Sequence, residues 1–78
     1  MPAEEYEIEL EDKGNLKNAL EILISNHDMV REHWKSPEQM DRESLLLRND
    51  VDIGLLAGLD TPLEDGDMLV ILPLVHGG

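Results

Sequence analysis

The sequence closes on MLVILPLVHGG, and its most promising reactive group belongs to no side chain. The main-chain carboxylate of Gly78 follows Gly77, and neither residue has a Cβ, so this end can approach another molecule closely or thread a narrow channel. Residues Val75 to Gly78, fully extended, reach about 13 Å. A free carboxylate resists nucleophiles, but ATP converts it to an acyl-adenylate whose AMP is a good leaving group. Displacement by a sulfur nucleophile leaves a thiocarboxylate. A thioester route that ends on an amine instead leaves an isopeptide bond. Both uses need the glycines to come last. The chain has no cysteine, so any sulfur it carries must be held by something other than a thiol side chain.

Other chemical constellations are weaker. DVDIG invites a calcium-loop reading, but taking Gly54 as the turn glycine puts Val51 and Ile53 where oxygen ligands belong, with no glutamate at the loop end. His27, His33 and His76 have no metal-ligand spacing, and the first two would fall on different faces of a helix. Ser25, Ser36 and Ser44 lie outside any strand-turn-helix elbow, and no glycine-rich phosphate loop is present. With 18 acidic residues no carboxylate pair stands out. The chain does not read as a self-contained enzyme. A net charge of −12 disfavours direct nucleic-acid binding and suits either plain solubility or steering toward a basic partner. No apolar run approaches the ~20 residues of a membrane span and no signal-peptide pattern follows Met1, so a cytoplasmic protein without membrane attachment is expected.

The elements that would carry the terminal carboxylate follow from periodicity. YEIEL alternates Tyr6, Ile8 and Leu10 with glutamates, the pattern of a half-buried strand with an acidic outer face. Asn15 is a plausible N-cap for a helix whose apolar stripe is Leu16, Ala19, Leu20, Leu23 and Ile24. Lys13 and Lys17 at its start oppose the helix dipole. Residues 25–44 read as a polar surface loop with at most a helical turn between Met29 and Trp34. SLLLR is a second strand closed by an Asn49-Asp50 turn, and VDIGLLAGLD a short edge strand running into irregular or single-turn helical structure. The last strand begins at Met68. Both of its rows are apolar, and one helix covers one face of a small sheet. Leu69 and Ile71 are therefore expected on an exposed face awaiting a partner, unless Met29, Val30 and Trp34 fold over them.

LLLRNDVDIGLLAGLDTPLEDGDMLVILPLVHGG resembles the second half of the ubiquitin-like sulfur carriers, and YEIEL with NLKNALEIL resembles the strand and helix before it. That group includes the small subunit of molybdopterin synthase, ThiS, the small archaeal modifier proteins and the ubiquitin-related modifier. The resemblance implies an α+β, β-grasp domain over residues 1–74, a mixed sheet packed on one main helix, with a flexible tail at 75–78. It implies that an E1-like adenylyltransferase activates Gly78, with Gly77 as its unhindered neighbour. Sulfur then arrives from a sulfurtransferase or desulfurase and passes to molybdopterin biosynthesis or tRNA thiolation. Leu69, Ile71, Pro73, Leu74, Val75 and His76 become the partner-binding residues. No stably bound cofactor is expected, ATP being a substrate of the partner. Alternative readings are a modifier conjugated to target-protein lysines through Gly78 and a plain ubiquitin-like interaction module. A large molybdopterin synthase subunit and a tRNA thiolase are further implied partners.

Two departures stand out. Relatives commonly carry Phe-Pro-Pro-Val before the glycines, where this chain has Leu72-Pro73-Leu74-Val75 and then His76. The fold also normally opens with a strand and hairpin ahead of the strand matched to YEIEL, yet only five residues precede Tyr6. Either Tyr6–Leu10 takes the first strand's place or a strand is missing, leaving an unpaired edge beside Met68–Leu74 that favours a homodimer.

Overall fold

The acidic alternation and the apolar stripe do form the first two elements. The computed structural model describes residues 5–11 and 14–74. Strand β1 is Tyr6–Leu10 and helix α1 is Leu16–Asn26. Asn15 caps α1 by accepting a hydrogen bond from the Asn18 N–H at 3.0 Å, which satisfies a donor the helix itself cannot pair. All five stripe residues are buried. The cost of Lys17 at the helix start is offset by Glu38, whose carboxylate lies 3.2 Å from its ammonium. The hydrogen bond to Glu38 is the main reason the Lys17 pKa rises.

Residues 25–44 differ from the expected loop. Helix α2 spans Asp28–His33 and helix α3 spans Pro37–Glu43. Each makes about two turns, too few apolar positions to announce a period of 3.6. The signs of α3 are local: Ser36 accepts from the Gln39 N–H at 3.1 Å, and Pro37 occupies the first turn, where no N–H is missed. Trp34, between the two helices, is only 5% exposed and meets Tyr6 edge-on, with ring centroids 6.3 Å apart. Met40 of α3 is fully buried.

Strand β2 (Ser44–Arg48) turns through Asn49 and Asp50 into the two-residue β3 (Val51–Asp52). Both turn residues have positive φ, 50° and 69°, as a two-residue hairpin of matching twist requires and as Asn and Asp tolerate. Two short 3-10 turns, Ile53–Leu55 and Gly58–Asp60, lead by way of residues 61–66 to β4 (Asp67–Pro73). Thr61 ties this connection back to the start of α1, its carbonyl accepting from the Leu16 N–H at 2.8 Å.

The strand order is β1-β4-β2-β3, and every paired neighbour is antiparallel, whereas a mixed sheet was expected. The connection from β1 to β2 holds all three helices, long enough to cross over one strand position. β4 enters that position antiparallel to both, so the parallel strands β1 and β2 never touch. β4 therefore has no open edge: β1 pairs with it along Tyr6↔Ile71 to Leu10↔Asp67, and β2 along Ser44↔Pro73 to Arg48↔Leu69. Among the described residues the sheet edge on this side is β1, not β4 as expected. No helix among the described residues is long and apolar enough to cross a membrane.

Candidate functional site

The site grows from the register of β4. Opposed residues of an antiparallel pair share a face, so Tyr6, Ile8, Leu46, Leu69 and Ile71 all point to one side. That side packs on Leu16, Leu20, Trp34 and Met40 in the core cluster. Leu69 and Ile71, expected on an exposed partner face, are 0% and 1% exposed and lie in this core. Trp34 and the partly buried Val30 help to seal it, while Met29 stays exposed.

The open face carries the other row. Met68, Val70 and Leu72 of β4 share it with Leu45 and Leu47 of β2, opposed as Leu45↔Leu72 and Leu47↔Val70. None of the five belongs to the core cluster. Met68 and Leu45 are 37% and 36% exposed, while Val70 is shielded at the middle of the row. Glu7 and Glu9 border the row from β1, opposite Val70 and Met68. Sequence reasoning found these residues but put them inside. Period two separates the rows of a strand without saying which one meets the helix.

The two ends of β4 are held differently. At its start, the buried Asp67 carboxylate accepts from Arg48 Nε at 2.8 Å, Asn49 Nδ2 at 3.0 Å and the Glu64 N–H at 2.8 Å. Asn49 Oδ1 in turn accepts from the Met68 N–H at 2.9 Å. The Glu64 N–H, then the Asn49 amide, hold the Asp67 carboxyl below its usual pKa against the opposing effect of burial, with Arg48 adding to the shift. At the far end, Pro73 has no N–H to give the ladder. Its half-buried ring lies opposite Ser44, whose buried hydroxyl has no partner among the described residues. Leu74 donates its N–H to the Glu43 carbonyl at 3.0 Å and exposes its side chain. Val75, His76, Gly77 and Gly78 lie outside the described residues. Among the described residues no three His, Asp or Glu side chains group as metal ligands.

A four-stranded sheet on one principal helix, its central strand leading toward Gly77 and Gly78, defines a ubiquitin-like β-grasp domain. The chain belongs to the ThiS family, whose profile matches residues 2–78. Members are ubiquitin-like sulfur carriers, small and without catalytic activity of their own, that work with E1-like enzymes and sulfur donors. No curated protein and no solved structure matches the chain.

Proposed function

We propose that Gly78 is the sulfur-bearing residue. Its carboxylate attacks the α-phosphate of ATP in the active site of an E1-like enzyme, giving the acyl-adenylate and releasing pyrophosphate. A sulfide-level nucleophile from a sulfur donor then adds to the acyl carbon and expels AMP, leaving the thiocarboxylate. That group passes its sulfur to an acceptor, with a molybdopterin precursor and a tRNA base as the expected classes. Gly77 leaves the approach to the carboxylate unhindered. Leu74, Val75 and His76 are the tail the enzyme reads, and Pro73 marks where that tail leaves the sheet.

The observation that carries this reading is family membership over residues 2–78, a match that runs through Gly77-Gly78, in a sequence without cysteine. The open row of Leu45, Leu47, Met68, Val70 and Leu72 takes the docking role assigned from sequence to Leu69 and Ile71. It flanks β4 up to the root of the tail, so an enzyme seated on it has the carboxylate within reach. Incubation with the E1-like enzyme, ATP and a sulfur donor should raise the intact mass by the difference between one sulfur and one oxygen. A chain lacking Gly78 should stay unmodified. An unmodified full chain beside an enzyme that demonstrably adenylates another carrier overturns the assignment.

A further inference from the structure

The outer edge of β1 is bordered on the helix side by two apolar hollows placed end to end. One, about 280 Å³, has Tyr6, Ile8, Met29, Val30 and Trp34 as its apolar wall, with Glu5, Glu7 and His33 also in its lining. The other, about 290 Å³, has Ile8, Leu10, Ala19, Ile22 and Leu23 as its apolar wall, with Glu9, Glu11 and His27 also in its lining. They meet at Ile8, so they follow the strand rather than a loop. β1 is an edge strand among the described residues, and edge strands template the pairing of a further strand. On the other face of β1 stand Glu7 and Glu9, both exposed.

We propose that the β1 edge receives an extended strand from a partner protein in which apolar and basic residues alternate. Same-face pairing sets the pattern: apolar side chains of the added strand lie beside Tyr6, Ile8 and Leu10 and enter the two hollows, while its lysines or arginines lie beside Glu7 and Glu9. Successive same-face residues of a strand are about 6.8 Å apart, a spacing that fits hollows adjoining at one residue. Charge disfavours a second copy as occupant. An antiparallel β1–β1 pair with both helix layers on one side joins residues of equal parity. Centred on Ile8 it sets Glu7 against Glu9 twice, and a shift of two residues still opposes glutamate to glutamate. Like charges directly opposed destabilise a sheet, and a net charge of −12 adds to the repulsion. This site is independent of the chemistry at Gly78.

The probe is a capped heptapeptide alternating valine and lysine, titrated into the full chain while following the fluorescence of Trp34, the sequence's one tryptophan and part of the first hollow's wall. Saturable binding is expected, with amide shifts concentrated in residues 6–10. N-methylation of alternate peptide amides on the pairing edge should abolish it. The double variant Glu7→Lys/Glu9→Lys should bind about tenfold more weakly and prefer the valine–glutamate peptide. Ile22→Lys, at an exposed position of α1 lining the second hollow, should weaken binding without unfolding the chain. Absence of saturable binding, binding indifferent to N-methylation, or a homodimer that buries β1 would each overturn the proposal.

Discussion

Leu69 and Ile71 face α1 and are sealed, whereas Met68, Val70 and Leu72, one residue out of phase on the same strand, share an open face with Leu45 and Leu47. The two rows are nearly equal in hydrophobicity, so composition does not separate them. What separates them is that α1, Trp34 and Met40 cover one side of the sheet, while the other presents an apolar row rimmed by acids. The sealed row decides whether the domain folds. The open row, apart from the shielded Val70, contributes less to folding and is free to be selected for recognition. Substitutions along β4 should split into these two classes, and the contrast is sharpest where the fold suffers most.

The largest effect is expected at Leu69. A chain of this size has a stability of about 4–12 kcal/mol, and Leu→Ala at a fully buried site costs about 2–5 kcal/mol. Leu69→Ala should therefore lower the urea midpoint steeply, and Leu69→Asp should leave no cooperative transition in circular dichroism. A loss below about 1 kcal/mol for Leu69→Ala would mean that the two rows have been assigned to the wrong faces.

Asp67 comes next, because it joins the start of β4 to the β2–β3 hairpin through Arg48 and Asn49 and to the preceding turn through Glu64. Asp67→Ala leaves Arg48 and two N–H donors without their acceptor and should cost about 2–3 kcal/mol. The pH dependence has a definite sign. The folded-state pKa lies below the unfolded value, so the ionised carboxylate stabilises the fold. That contribution is complete above the ordinary aspartate pKa of about 3.9 and is lost as pH falls through the lower folded value. Asp67→Asn should flatten this part of the acid limb in urea titrations run at successive pH. An unchanged acid limb would remove Asp67 from the account.

How far this contrast could be read from the chain differs by element. α1 was fully legible, because the Asn15 cap and the five-residue stripe are local and agree with the tertiary packing. The Asn49-Asp50 turn and the strand around Ile71 were legible for the same reason. α3 was not, since a two-turn helix is set by its cap and by one or two buried side chains rather than by a repeat, and α2, legible only as a helical turn between Met29 and Trp34, has neither a side-chain cap nor a buried residue. What these short helices cover bears directly on the site. The alternative in which Met29, Val30 and Trp34 fold over Leu69 and Ile71 is borne out for Val30 and Trp34, with Met40 as further cover that no sequence pattern announces. Register and crossover were also hidden. Nothing in YEIEL states that it will pair antiparallel with β4, which is how the sheet avoids the mixed pairing the resemblance implied.

The caps of α1 and α3 test the cover itself at a smaller scale. Asn15→Ala and Ser36→Ala each remove one side-chain acceptor from a helix start and should each cost about 1 kcal/mol in thermal or urea unfolding. Their consequences should differ in place. Asn15→Ala weakens a helix with five buried residues, while Ser36→Ala loosens α3, which carries Met40 against the core. Amide exchange should then quicken in residues 37–43 of the second variant, with α1 left protected. Equal loosening of both helices would show that α3 is only an extension of the α1 layer.

The smallest effect on the fold, and the most informative for recognition, belongs to the open row. Leu45→Thr and Leu72→Thr place a β-branched residue on a pleated surface and remove apolar area that lies outside the core cluster. Each should cost less than about 1 kcal/mol in stability, because strand propensities span only about that range. The double variant should still raise the KM for adenylation of Gly78 by the E1-like enzyme, with little change in kcat once the complex forms, since neither substitution alters the residues of the tail itself. The cross-strand pair Leu45↔Leu72 makes the double variant a local change on one patch rather than two scattered ones. A KM unchanged from the natural chain, with the fold intact, would move the enzyme's docking surface off this face and leave recognition to the tail alone. A fall in kcat at constant KM would instead place the row's influence on how the tail is aimed, because the enzyme would then bind the carrier normally yet present its carboxylate poorly.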